Sequence, residues 1–485
     1  MRTRVSRVLL SAAITGSAGL GLVVLAPAAS AAAPAQPYDF NGDGYRDLAI
    51  GSPNGKVGRA KGAGFVTVTY GSRGGLNLKK RLILSQDTGG VPGAAEAGDH
   101  FGHALASGDL NRDGRADLVV SAPDEDGSGK KNNGLLMVFW GTKSGLSTRT
   151  LVLPTHGTFG NERVGLSVAV GDFNKGGYAD LAYSSSYGFG WYGFEPNRRY
   201  AGSPGSAVSD VAHHRMSLPG QSRAAAARRV VTAAVYAGDV LRKGHPQLIL
   251  TWHDPASVEF RNDVSVWAAK SANVLTMQSN VSVEVGSAAV ADFDGDRHAD
   301  IAIGQRFDPG HKGGQVTVLK GSPIGITPVA RYSIGLDSAG VPGVSANGNR
   351  FGADVAVGDV NRDGKADLAV GAPGVTGGSG AALVLFGRAT GLGGAQWVSQ
   401  STGGVPGGSE RNDGFGSQVS LLDHNRDGHA DLTIGAPTEN RGEGMVTFVK
   451  GRASGVVPVS GAFAFGPGSF KLSGKGAQLG LRLGA

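Results

Sequence analysis

The 485-residue chain contains no cysteine. That excludes a disulfide scaffold, a thiolate zinc site and a cysteine nucleophile. Charge is also scarce, at 18% of residues, and 46 Lys and Arg against 39 Asp and Glu leave a formal net charge of +7. Three of those arginines, Arg2, Arg4 and Arg7, crowd the N-terminus, and no other basic cluster suggests a nucleic-acid face. After the first 31 residues no apolar run is long enough to span a bilayer. No H-E-x-x-H, G-x-S-x-G or P-loop pattern occurs. Glycine is what the chain has in excess: 82 residues, with 21 prolines, yet no strict G-x-y period that would make collagen. Low charge, high glycine and 40% hydrophobic residues favour many short strands joined by tight turns.

Residues 1–31 read as a secretory signal peptide. The three arginines precede an uncharged stretch from Val8 to Ala26, and Ala29-Ser30-Ala31 supplies a small-residue cleavage site. The remaining 32–485 is expected to be one secreted, extracellular, monomeric domain.

One pattern recurs through it. The segment DFNGDGYRDLAIGSP starts at Asp39, and its relatives start at Asp109, Asp172, Asp239, Asp292, Asp359 and Asp423, spaced 53 to 70 residues apart. That period is too long for a solenoid coil and suits a four-stranded propeller blade. Short apolar runs flank each acidic loop, as in Leu118 to Val120 and Leu368 to Val370, and a further run follows, as in Leu135 to Trp140 and Leu383 to Phe386. A more polar strand closes the unit, for example Lys80 to Ser85. The expected fold class is all-β, a seven-bladed β-propeller of four-stranded blades.

Phe101-Gly102, Phe351-Gly352 and Phe415-Gly416 open repeats, and Gly371-Ala-Pro and Gly435-Ala-Pro close them. In these residues the chain resembles FG-GAP repeats, which build the seven-bladed propeller of integrin α subunits and of secreted bacterial proteins. Val164-Gly165 and Val285-Gly286 replace Phe-Gly, and the repeat at Asp239 has neither the Phe-Gly nor the acidic pattern. The first repeat has no opening strand before Asp39, whereas Leu479-Gly480-Leu-Arg-Leu-Gly-Ala485 matches one. The C-terminus is therefore expected to complete the first blade and close the ring. Leu479, Leu481 and Leu483 alternate, so they are expected to share one face over that blade.

The acidic loops carry the chemistry. Asp39, Asn41, Asp43 and Asp47 place side-chain oxygens at positions 1, 3, 5 and 9, with the carbonyl of Tyr45 at position 7. A hard cation wants six to eight oxygens, and this spacing in a tight turn supplies the front of such a shell. Position 12 is Ile50, not the glutamate of an EF-hand, so the expectation is a calcium hairpin between strands. The same set recurs at Asp109, Asn111, Asp113, Arg115 and Asp117, and at Asp292, Asp294, Asp296, His298 and Asp300. It recurs again at Asp359, Asn361, Asp363, Lys365 and Asp367, and at Asp423, Asn425, Asp427, His429 and Asp431. About five structural Ca2+ ions are expected. The loop at Asp172 has Gly176 at position 5 and should be weak or empty; that at Asp239 has Leu241, Lys243 and Gln247, and Lys243 repels a cation.

Two function classes follow. One is an adhesion or recognition module for protein or glycan ligands. By the integrin resemblance, ligands would meet the face opposite the calcium hairpins, including residues 124–133, 374–380 and 438–442 and the V-P-G loops at Val91, Val341 and Val405. Tyr187, Trp191, Tyr192, Tyr200 and Trp252 either offer aromatic faces to a ligand or fill an irregular blade. The other class is a polysaccharide-active hydrolase or lyase using Glu96, Glu162 or Glu410, with Asp99 and Asp413 nearby. Those acids recur within the repeat, which favours a structural role. His213-His214 is expected in a surface loop.

Overall fold

The computed structural model describes residues 34–127, 129–153, 160–194, 212–216, 232–253, 262–271, 273–306, 312–458 and 461–484. Seven antiparallel sheets of four strands, one with an added fifth, follow the seven repeats. Blade 2 is representative, running Leu105–Gly108, Asp117–Ala122, Leu135–Thr142 and Gly145–Leu153 from the axis outward. Blades 3 to 7 open on Val168–Gly171, Thr232–Gly238, Ser287–Ala291, Val355–Gly358 and Gln418–Leu422. In blade 7 Phe463–Phe465 takes the outer place against Val446–Phe448, and Gly455–Val457 adds a short hairpin.

The recurrent D-L-A-[VI]-G of each second strand is explained by packing on two sides. Strand residues alternate between faces, and here both faces meet a neighbouring blade. Leu118 and Val120 enter the core shared with blade 1, while Val119 enters the core shared with blade 3. Likewise Leu368 and Val370 face blade 5, and Ala369 faces blade 7. Among the described residues the buried side chains divide into seven clusters, each at one junction between successive blades.

The Phe-Gly and Gly-Ala-Pro signatures meet across those junctions. Phe101, Phe351 and Phe415 are fully buried, and their amides donate to the carbonyls of Ala63, Gly313 and Ser379 in the preceding blade. The glycine after each phenylalanine passes directly over the second strand of that preceding blade. A Cβ on Gly51, Gly304, Gly371 or Gly435 would lie 2.0 to 2.2 Å from the carbonyl oxygen of Gly102, Gly352, Gly416 or Gly480. Only glycine fits such an approach.

The ring closes as the sequence implies. Arg482–Leu483 pairs with the first blade's Leu48–Ser52, in register Ile50 with Leu483 and Gly51 with Arg482. Gly484 N–H adds a bond to the Ala49 carbonyl at 2.9 Å. The three leucines do not share one face, however. Leu479 takes the place of the Phe-Gly phenylalanine, bridging to Gly444 of blade 7 in the fully buried 7/1 core, and Leu481 lines the axial cavity. Gly480, at φ 88°, breaks the alternation between them.

Candidate functional site

Each acidic loop leads into the second strand of its blade, in blades 2 to 7 directly from the first, so all of them emerge on one face. In the loop at Asp39, the position-1 carboxylate accepts the amides of Asp43 (3.1 Å) and Gly44 (2.9 Å). Asn41 Oδ1 accepts the Asp43 amide and Asp43 Oδ1 accepts that of Tyr45. Asp47 at position 9 accepts the amides of Phe40 (2.9 Å) and Gly71 (2.9 Å), clamping the loop to the end of the third strand. The loops at Asp109, Asp359 and Asp423 repeat these bonds, Asp117, Asp367 and Asp431 receiving Gly141, Gly387 and Gly451.

Position 9 is therefore both a clamp and a buried acid. Burial pushes Asp47 and Asp431 up to about 8, Asp300 to about 7 and Asp367 to about 6, and raises Asp117 well above the ordinary range, with neighbouring acids of the same loop adding to the rise. No lysine, arginine or histidine makes an ion pair with these five position-9 acids among the described residues. At the loop starting at Asp292 three carboxylates, Asp292, Asp294 and Asp300, bring oxygens within 4.8 Å of one another, and Lys320 Nζ reaches Asp294 at 2.5 Å. Asp296 accepts the amide of His298.

The loops also bond to one another around the ring. The position-1 carbonyls of Asp39, Asp239, Asp292 and Asp359 accept the amides of Ala116, Ala299, Ala366 and Ala430 in the next blade. Arg46 N–H to the Asp423 carbonyl (3.3 Å) carries the same link across the closure. His298 and His429 at position 7 reach back by Nδ1 to the carbonyls of Val240 and Val360, and Arg115 pairs with Asp113.

The two irregular loops differ in the side chains, not in the turn. At Asp239 the position-1 carboxylate still accepts the amides of Lys243 and Gly244, both at 2.7 Å. Gln247 Oε1 takes the Leu241 amide at position 3, one residue past the position-2 amide that aspartate takes in the five complete loops, and Gln247 Nε2 donates to Asp239. At Asp172, Asn174 folds inward, its Nδ2 donating to Asp180 Oδ1 (3.1 Å), and burial holds Asp180 at about 8.

The aromatic set offers no shared ligand face. Trp191, Tyr192 and Trp252 are at most 5% exposed; Trp191 and Trp252 sit in the 3/4 core and Tyr192 in the 2/3 core. With no Gly-Ala-Pro glycine in blades 3 and 4, rings fill the space between them, and Phe189 packs edge-on against Trp267 at 5.3 Å. Tyr187 is half-buried in a turn, and Tyr200 lies outside the described residues. The His213-His214 pair is not in a loop either: it lies on Ala212–Met216, the outer strand of blade 3, where His214 stacks on Trp191 at 4.2 Å.

On the opposite face the acids Glu96 and Asp99 meet Glu125, and Glu410 and Asp413 meet Glu439, the latter three within 4.8 Å. Each cluster is latched by a buried glutamine, Gln86 to Glu125 (2.8 Å) and Gln400 to Glu439 (2.9 Å). Both glutamines stand in a repeated S-Q-x-T-G-G-V-P-G segment, the signal that could have found them. Burial raises Glu125 to about 7 and raises Glu439. Glu162, buried before blade 3, is not part of either cluster.

Comparison with known proteins agrees with this geometry. The FG-GAP repeat family matches residues 35–69, 101–139, 285–319, 351–385 and 415–449, which fall on blades 1, 2, 5, 6 and 7. The chain is an integrin-like FG-GAP propeller. It is 36% identical over 161 residues to integrin alpha-IIb of Mus musculus, covering 30% of this chain and 14% of that protein. To integrin alpha-3 of Cricetulus griseus it is 30% identical over 130 residues, 25% of this chain and 12% of the other. The phosphatidylinositol-glycan-specific phospholipase D of Rattus norvegicus is 32% identical over 152 residues, 31% and 18% respectively. The matched stretches cover less than a fifth of the length of these relatives. The five blades matched by the FG-GAP family are the five with complete acidic loops. No helix among the described residues is long and apolar enough to cross a membrane.

Proposed function

We propose that this propeller is a secreted, calcium-stabilised recognition module whose inter-blade face meets an extracellular protein or glycan ligand. The observation that carries the calcium reading is the loop at Asp239. It keeps the position-1 bonds, and its position-9 side chain still bonds into the turn one residue along, with Leu241, Lys243 and Gln247 in the other places. The turn therefore does not need acids at positions 3, 5 and 9. Five loops keep side-chain oxygens there, at position 9 even though burial opposes the charge, and a divalent cation supplies the missing counter-charge.

Position-1, -3, -5 and -9 side chains with the position-7 carbonyl would hold each ion; at the Asp292 loop the ion replaces the Lys320 ammonium on Asp294. The ions cross-link hairpins that already form a bonded ring, so they stiffen the scaffold beneath the ligand-bearing loops. Secretion rests on the leader at residues 1–31, and recognition on the integrin likeness. Metal analysis of the purified chain should find about five calcium ions, and chelation should lower the unfolding temperature. A metal-free protein whose melt is indifferent to chelator overturns the calcium reading. A glycan array and a pull-down with and without calcium test recognition; no capture in either condition overturns it.

A further inference from the structure

The inner strands of all seven blades enclose an axial cavity of about 1050 Å³. Its bore is lined mainly by small residues such as Ala106, Val168, Ala289 and Val357. Serine hydroxyls in the wall are already spent on the backbone: Ser107 donates to the Asp117 carbonyl (2.9 Å) and Ser287 to that of Gly352 (3.3 Å). Charge is confined to the two ends. Where the inner strands begin, the wall carries Arg306, Arg350 and Arg482 with His103 and one acid, Asp354; the other end carries Asp359, Asp423 and Arg46.

Arg482 is the decisive group. It sits on the C-terminal strand, where Nε donates to the His103 carbonyl (3.0 Å) and Nη1 to that of Leu481 (3.3 Å). No carboxylate among the described residues comes within 4.0 Å of it. Asp354 acts on it only from a distance, its Oδ2 being held by the Val419 amide at 2.8 Å. A guanidinium has five donors in a planar fork. Two bonds to carbonyls leave donors on the cavity wall, and burial without a close counter-ion makes that charge costly until an anion meets it.

We infer that the axial cavity is a binding site for an elongated ligand bearing carboxylate or sulfate groups at one end, held by Arg482 with Arg350 and Arg306 beside it. The uncharged body lies along the small-residue bore. The arginine end of the cavity opens on the inter-blade face, but the inference stands on the cavity and its charges and does not depend on the recognition reading above. Calorimetric titration, with calcium in excess throughout, uses three probes of equal length: maltotetraonate, whose single carboxylate is at one end, maltotetraose sulfated only on its reducing-end residue, and neutral maltotetraose. Either or both anionic probes should bind saturably and more weakly at high salt, their ratio telling carboxylate from sulfate. Maltotetraose should not bind.

Arg482→Gln should weaken binding by roughly tenfold or more, the worth of a charged hydrogen bond. Because that change could loosen the closing strand, Arg350→Gln and Asp354→Asn serve beside it. The first should weaken binding and the second tighten it, at a temperature where melting curves show each variant fully folded. Equal binding of maltotetraose, no binding of either anion, or affinities untouched by Arg350→Gln and Asp354→Asn would overturn the assignment.

Discussion

The junction between blades 6 and 7 and that between blades 3 and 4 hold the same kind of neighbours together in different ways. At the first, backbone meets backbone: Gly371 lies under Gly416, small residues such as Ala369 and Ala382 fill the core, and the Asp359 carbonyl binds the next hairpin. At the second, Ser184 stands where glycine would be and sends its hydroxyl to the Ala233 carbonyl at 2.8 Å. Trp191, Trp252, Trp267 and Phe189 fill the core between the two blades. Close approach demands one residue type and so preserves a repeat; a gap filled by rings accepts many sequences and lets it drift. The four glycine contacts, at Gly51, Gly304, Gly371 and Gly435, all belong to blades with complete acidic loops, while blade 2 keeps its loop with Ser121 in the glycine's place.

The strongest way to break that comparison is to put a methyl group in each junction. Gly371→Ala sets a Cβ 2.0 Å from the Gly416 oxygen and should cost several kcal/mol in denaturant unfolding. Ser184→Ala removes one buried hydrogen bond and should cost about 1 kcal/mol. Equal losses would mean that the two junctions are not held differently. A smaller effect separates the loops. Asp363→Ala should remove one calcium ion and about 2–3 kcal/mol at saturating calcium, and Lys243→Ala should leave the metal count unchanged. Equal metal loss from both variants would erase the distinction between complete and irregular loops.

The last contrast is one of pH. Burial raises Asp47 and Asp431 to about 8, Asp300 to about 7 and Asp367 to about 6, from an ordinary 3.8. An acid whose folded pKa is raised stabilises the fold fully below its unfolded pKa, and that contribution is lost as pH rises through the folded value. Calcium-free protein should thus be more stable at about pH 5 than at about pH 8, and calcium, by favouring the charged forms, should flatten the change. Melting curves at both pH values with and without chelator decide it; an equally flat response without calcium counts against it.

The ring, its seven repeats and its closing strand are legible in the sequence because each repeat spells the same contacts. Phe101, Phe351 and Phe415 announce the latch by recurrence, and Leu479 could be placed by alignment with them. What recurrence does not convey is exposure. Trp191, Tyr192 and Trp252 stand out because their repeats are irregular, and irregularity suits a ligand face and a filled gap equally. The acid loops show the same limit: the spacing of Asp39, Asn41, Asp43 and Asp47 announces a shell of oxygens, but not that Asp47 also clamps Gly71. Glu125 and Glu439 were missed because their partners, Gln86 and Gln400, lie 39 residues away along the chain.

The closing pair has a mechanical consequence. Ile50 lies opposite Leu483, and Gly484 bonds back to Ala49, so the strand entered from the N-terminal side and the strand leaving toward the C-terminus are antiparallel. A pull on both chain ends therefore acts on the same end of the pair. Load applied this way breaks Gly484–Ala49 first and then each rung in turn, as a zipper opens, instead of shearing all of them at once. A tether through one end alone leaves that seam unstressed. Tension between the two ends would undo the propeller where blade 1 borrows its strand, while the other six blades retain inner strands of their own.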